Sequence, residues 1–202
     1  NIQVLKWLRA NGCPWDHNTC GMAAEGGHLK LLKWARRHGA PWNYQTCGMA
    51  ASGGHLQILA WLRDNGCPWG HRTCRRAAKT GRLDVLQWAL ENGYLCGDSL
   101  TCTVAAEGGH LHVLKWARAN GCEWGVSTLS RAAKNGHFEV VKWARENGCP
   151  WDELTCVQAA SGGHLEVLRY ARENGCPWDK VACRGVARER RHVDVLEWMR
   201  DK

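Results

Sequence analysis

Between Leu165 and Ala171 the chain places apolar side chains at Leu165, Val167, Leu168, Tyr170 and Ala171. That spacing is a broad stripe down one side of a helix. Just upstream, "TCVQAASG" puts Cys156, Ala159 and Ala160 at i, i+3 and i+4, which predicts a second, shorter helix with one small-residue face. Thr155 reads as its N-cap, and Gly162–Gly163 as its end. Gly175, after Asn174, is read as the left-handed stop of the longer helix, and Pro177 keeps that helix from resuming. The unit is helix, Gly-Gly turn, helix, Asn-Gly stop and Cys-Pro-Trp link, about 27 residues in all.

The same pattern recurs along the chain. One aromatic column reads Trp7, Trp34, Trp61, Trp88, Trp116, Trp143, Tyr170 and Trp198. A second reads Trp15, Trp42, Trp69, Cys96, Trp124, Trp151 and Trp178, with the same step of 27, stretched to 28 where single residues are inserted. A repeat of this length cannot bury its apolar faces alone but can do so against copies of itself, so an α-solenoid of about seven helix-turn-helix repeats is expected. The repeats are expected at 16–42, 43–69, 70–96, 97–124, 125–151, 152–178 and 179–202, after a partial one at 1–15, as a single array. Because the chain opens inside a repeat, its natural start is expected upstream. The 202 residues include 13 Trp against 3 Tyr and 1 Phe, and 23 Gly against 5 Pro, in keeping with an array of tightly turned helices. No apolar run reaches the roughly 20 residues that would span a bilayer.

"AASGGHLEVLRYARENG" at 159–175 resembles the body of the ankyrin repeat, and so do "AAEGGHLKLLKWARRHGA", "AASGGHLQILAWLRDNGC", "AAEGGHLHVLKWARANGC" and "AAKNGHFEVVKWARENGC". The likeness extends over essentially the whole chain. It departs in two respects. The period is 27 rather than 33, with the deficit where ankyrin repeats carry a β-hairpin finger, and "TC" stands in place of the T-P-L-H signature. This short, Trp- and Cys-rich form is similar to ankyrin-like arrays of giant DNA viruses, algae and oomycetes. The resemblance implies an all-α, ankyrin-like solenoid with shortened or absent β-hairpins.

Comparing the repeats with one another separates scaffold from readout. Cys156, Ala159, Ala160 and their equivalents stay constant, as packing positions should. The residues two and five places after each such Cys vary: Met22 and Glu25, Met49 and Ser52, Arg76 and Lys79, Val104 and Glu107, Arg131 and Lys134, Gln158 and Ser161, Gly185 and Arg188. Loop and first-turn positions vary too, including Tyr44, Arg72, Arg75 and Arg184. A constant face opposite a variable one suits a binding scaffold, and in ankyrin arrays this variable face carries partner contacts. The candidate partner-binding residues are therefore Met22, Glu25, Tyr44, Met49, Arg72, Arg75, Arg76, Lys79, Glu107, Arg131, Lys134, Gln158, Arg184 and Arg188.

Chemistry is not expected. Only four Cys-x6-Cys pairs keep both members in register (13/20, 67/74, 149/156 and 176/183), and Ala40 and Leu129 interrupt the pattern. Equivalent Cys on stacked repeats should stand about 10 Å apart, too far for a disulfide. All 12 Cys are therefore expected to be free, small buried hydrophobes, without metal, in a reducing compartment, cytoplasmic or nuclear. The His after each Gly turn reads as a hydrogen-bonding link to the neighbouring repeat. No nucleophile, base or carboxylate pair occurs once with partners of its own, so neither an enzyme nor a cofactor is expected. The helix-two Trp lies within the apolar stripe and is expected in the core, with the loop Trp sealing an edge.

The net charge of +8 is unevenly placed. Repeats three, five and seven carry Arg/Lys on the variable face, while the others are neutral, acidic or apolar. A groove tracking a nucleic-acid backbone would place cations at every step. The expected partner is another protein, with an acidic segment opposite repeats three to seven; nucleic acid held by the Arg/Lys patches is the alternative, and a spacer between other domains a third. No membrane association is expected, and the array is expected to be monomeric.

Overall fold

The computed structural model describes residues 2–200, in which α-helices of six to ten residues are joined by short loops and no β-strand occurs. The fold is an all-α, ankyrin-like solenoid of about seven helix-turn-helix repeats without β-hairpins among the described residues. It divides into two compact units, Asn1–Cys96 and Gly97–Lys202, at the edge of a repeat. The first unit comprises α1 (Ile2–Ala10), α2 (His17–Glu25), α3 (Leu29–Arg37), α4 (Tyr44–Gly53), α5 (Leu56–Asp64), α6 (His71–Lys79) and α7 (Leu83–Glu91). The second comprises α8 (Ser99–Glu107), α9 (Leu111–Ala119), α10 (Val126–Lys134), α11 (Phe138–Glu146), α12 (Glu153–Gly162), α13 (Leu165–Glu173), α14 (Lys180–Glu189) and α15 (Val193–Trp198).

Helices this short are marginal alone, so packing must hold them. In the first unit the first helices of successive repeats pack in series, α2 on α4 and α4 on α6; in the second, α8, α10, α12 and α14 do the same. The small face makes close approach possible: Cys47, Ala50 and Ala51, like Cys156, Ala159 and Ala160, are buried. The second helix of each repeat adds the bulk, with Leu32 and Ala35 in α3, Ile58, Leu59 and Leu62 in α5, and Val167, Leu168 and Ala171 in α13 all buried. Each buried Leu or Ile contributes about 1.5–3 kcal/mol.

Two local expectations change. The first helix starts at Glu153, three residues before the expected position, with Asp152 at the N-cap. In α2, α8 and α14 the Asp at this place accepts a hydrogen bond from the third helical backbone N–H, at Asp16, Asp98 and Asp179. In α4 and α10 the hydroxyl of the third helical residue, Thr46 or Thr128, accepts from the N-cap backbone N–H, and in α4 the Asn43 side chain also accepts from the Gln45 N–H. An Asp, Asn or Gly thus takes the cap position, and the Thr sits inside the first turn.

The second change concerns tryptophan. Trp34, Trp61, Trp88 and Trp143 are half-buried rather than core residues. Each meets the preceding loop Trp: ring centres are 5.8 Å apart for Trp15 and Trp34, 5.6 Å for Trp42 and Trp61, and 5.7 Å for Trp124 and Trp143, all edge to face. An indole is too large for the narrow space between helix pairs, which Ala and Leu already fill, so it lies along the rim and joins consecutive repeats.

The histidines link repeats as well. His55 donates from Nε2 to the Glu25 carbonyl at 2.9 Å, His137 to Glu107 at 2.9 Å and His192 to Ser161 at 3.0 Å. Each ring caps the last turn of the previous repeat's first helix. It lies over a turn glycine: a Cβ at Gly27 (φ +76°) would come 2.7 Å from His55 Cε1, so this turn needs Gly both for its left-handed backbone and for space.

Candidate protein-interaction face

The first helices bury their Cys/Ala/Ala edge and turn their variable positions outward. In the first unit Met22 is 60% exposed and Tyr44 41% exposed; Arg72, Arg76 and Lys79 are also exposed, while Glu25, Met49 and Arg75 are half-buried. In the second unit Arg131, Lys134, Arg184 and Arg188 are exposed, with Glu107 and Gln158 half-buried. Each unit therefore carries its own row of candidate residues along its first helices.

The charge of the second row is partly cancelled. Arg131 pairs with Glu107 across neighbouring helices at 3.4 Å, and Asn135 donates to the Glu107 carbonyl at 3.1 Å. The Arg131 side of the pair is open to solvent, and the pair contributes at most about 1 kcal/mol. Its effect on recognition is larger: a carboxylate stands beside the cation that an anionic ligand would need.

The thiols correct the sequence expectation. Cys74 and Cys96 form a disulfide, with Cα atoms 5.3 Å apart. The relevant pairing is neither Cys-x6-Cys nor repeat to repeat. It lies within a repeat, between the first-helix Cys and the Cys of the closing loop some 20 residues on. Cys47 with Cys67, Cys102 with Cys122, and Cys156 with Cys176 stand at the same place and share thiol hydrogen bonds. The loop thiols also reach N-cap carbonyls, Cys176 to Asp152 at 3.3 Å and Cys67 to Asn43 at 3.5 Å. The register was missed because the loop folds back over the first helix of its own repeat. In repeat three the loop carries its Cys two places later, at Cys96 instead of the usual Cys-Pro-Trp position, where it reaches Cys74.

The other ten cysteines are free. Burial pushes the Cys20 and Cys183 thiols up to about 11 and Cys149 up to about 12, which keeps them protonated and unreactive at neutral pH. Among the described residues no group of three His, Cys, Asp or Glu side chains is placed to hold a metal ion. No helix there is long and apolar enough to cross a membrane.

On the opposite edge, a basic residue in the last turn of the second helix covers the loop Trp. Arg36 lies 4.2 Å from the Trp42 ring centre, Arg145 4.4 Å from Trp151 and Arg172 4.7 Å from Trp178. These cations are engaged in the scaffold and so lie outside the candidate set.

Comparison with known proteins agrees with this geometry. A sequence model described as ankyrin repeats (many copies) matches residues 20–63. The fold is similar to that of the ankyrin repeat domain of human ASB11, with a TM-score of 0.60 and 20% identity over 78% of this chain and 83% of that one. No curated protein matches the chain. The fold is therefore ankyrin-like.

Proposed function

We propose that the chain is a non-catalytic scaffold that binds another protein through the variable face of its first helices and the loops before them. The carrying observation is the division of each first helix into a constant buried edge and an outward edge that changes from repeat to repeat, with Met22 and Tyr44 exposed on it. Exposed Met and Tyr are suited to protein contacts, because apolar and aromatic anchors dominate interface energy. The mosaic charge supports the same choice over nucleic acid, since Glu25 and Glu107 interrupt the cations. The ten free thiols favour a reducing compartment, cytoplasmic or nuclear. The 27-residue period and the Trp and Cys columns favour the short ankyrin-like subtype over the standard repeat.

The test compares ligands on the 202-residue chain. A displayed peptide library should yield binders that are lost when Met22, Met49 and Arg76 are replaced by Ser, or when Arg131 and Arg188 are. Random oligonucleotides should bind weakly at physiological ionic strength. Tight oligonucleotide binding that falls steeply with salt, and whose salt slope shrinks in Arg76→Ala/Lys79→Ala, would overturn the proposal in favour of nucleic acid.

A further inference from the structure

The first unit's row is polarised, and that polarity describes its ligand. Met22, Met49 and Arg76 hold the same position in α2, α4 and α6, two residues after the first-helix Cys. The residue just before each of Met22 and Met49 is a buried glycine, Gly21 and Gly48. A Cβ at Gly21 would come 2.5 Å from the Met49 sulfur, and one at Gly48 would come 3.0 Å from Arg76 Cδ. Met49 therefore lies across α2 and Arg76 across α4, so the three side chains make one continuous strip. Tyr44 behaves likewise, its Cβ 3.1 Å from where a Cβ of Gly70 would stand at the start of α6. The α2 end of the strip is apolar. The α6 end carries the exposed Arg72 and Arg76, and no ion pair among the described residues neutralises either.

From this arrangement, and resting on the function proposed above, we infer that the strip receives an extended segment of the partner protein, apolar at one end and acidic at the other. Its apolar side chains lie over Met22 and Met49 and beside Tyr44, and its carboxylates face Arg72 and Arg76. Neighbouring helices pack about 8–10 Å apart, so the strip is about 16–20 Å long. An extended chain advances about 3.3 Å per residue, so five or six residues cover it. A nucleic-acid backbone fits poorly here, because its evenly spaced phosphates would lie over Met22 and Met49 as well as over the two arginines. The apolar end supplies most of the affinity, and the guanidinium end sets direction and partner choice.

The probe is a fluorescein-labelled peptide of about twelve residues, enough to cover the strip with flanks, carrying a Leu/Phe block followed by a Glu/Asp block. Controls have the same composition scrambled and the acidic block replaced by Lys. By fluorescence anisotropy the block peptide should bind the full chain about tenfold more tightly than the scrambled one, the effect of a single well-placed charged contact. Arg72→Glu/Arg76→Glu should weaken the acidic peptide by at least about tenfold and restore binding of the Lys peptide. Met22→Ser/Met49→Ser should weaken both peptides. Met22, Arg72 and Arg76 are exposed and Met49 is half-buried, and unchanged far-ultraviolet circular dichroism checks that the variants fold. Equal binding of block and scrambled peptides, or no charge swap, overturns the inference. Library peptides that bind only the second unit's first helices overturn it too, while leaving the proposed function standing. If no peptide binds any first-helix face, both fall.

Discussion

The Arg118 guanidinium lies 4.2 Å from the centre of the Trp124 ring, and its Nη1 donates to the Cys122 carbonyl at 2.5 Å. One side chain thus covers the loop Trp, satisfies a carbonyl of the loop, and places a positive charge at the C-terminal end of α9, where the helix dipole favours it. The motif recurs with Arg145 on Trp151 and the Cys149 carbonyl, and with Arg172 on Trp178 and the Cys176 carbonyl. It orders the closing loop of each repeat, whose Trp meets the next repeat, as Trp124 meets Trp143.

Arg118→Ala should therefore destabilise the protein by about 1–2 kcal/mol, the sum expected for a partly exposed cation–π contact and one charge-assisted hydrogen bond. Trp124→Ala should cost about 2–3 kcal/mol, below the value for a fully buried aromatic, because the ring is half-buried. Urea unfolding of both single variants and the double variant checks this. Additive losses would show that the ring and the guanidinium do not act together.

The disulfide makes a mass prediction. Alkylation after denaturation without reductant should modify ten cysteines, and prior reduction should raise that to twelve. Reduction should lower stability by about 3 kcal/mol, the usual effect of opening a loop of this length. A Cys96→Ser variant should be insensitive to reductant.

Arg191 stands at the turn position held by glycine in the other repeats, and its φ is +61°. An L side chain there costs about 1 kcal/mol or more. Arg191→Gly should raise the unfolding free energy by about 0.5–1 kcal/mol once the added freedom of the unfolded chain is counted, and with it the urea midpoint. A lower midpoint would mean that the Arg side chain holds something the turn needs.

Burial lowers the His164 pKa below its ordinary value of 6.5, and the nearby His137 and His192 add to this, while the hydrogen bond to the Lys134 carbonyl opposes it more weakly. The unfolded chain therefore binds a proton here more readily than the folded one. Stability from this site is complete above pH 6.5 and declines as the pH falls from there toward the lowered pKa. His164→Gln should flatten that part of the stability–pH curve, measured by urea unfolding between about pH 5 and 7.

How far the sequence could be read depended on whether a signal was local. The helix pairs, the Gly-Gly turns and the Asn-Gly stops depend on neighbours a few residues away, and all were legible. Asn174 illustrates this: its side-chain amide donates to the Tyr170 carbonyl four residues back, at 2.8 Å. The burial of Cys156, Ala159 and Ala160 was legible for the same reason. Trp61 and Cys74 were misjudged because their surroundings come from chain about 20 residues away: a preceding loop Trp in one case, a returning loop Cys in the other. The strip over Gly21 and Gly48 was half legible. Variation at Met22, Met49 and Arg76 marked the face, but only the packing of α2, α4 and α6 shows these side chains lying across their neighbours.

The central claim is that partners are read on the first-helix face. Hydrogen exchange of the 202-residue chain, with and without a bound library peptide, tests it most directly. Binding should slow exchange in the loops and first turns that precede α4 and α6, or α10 and α14, and leave α5, α7, α11 and α13 unchanged. Protection confined to those second helices and the Trp rim would contradict the claim.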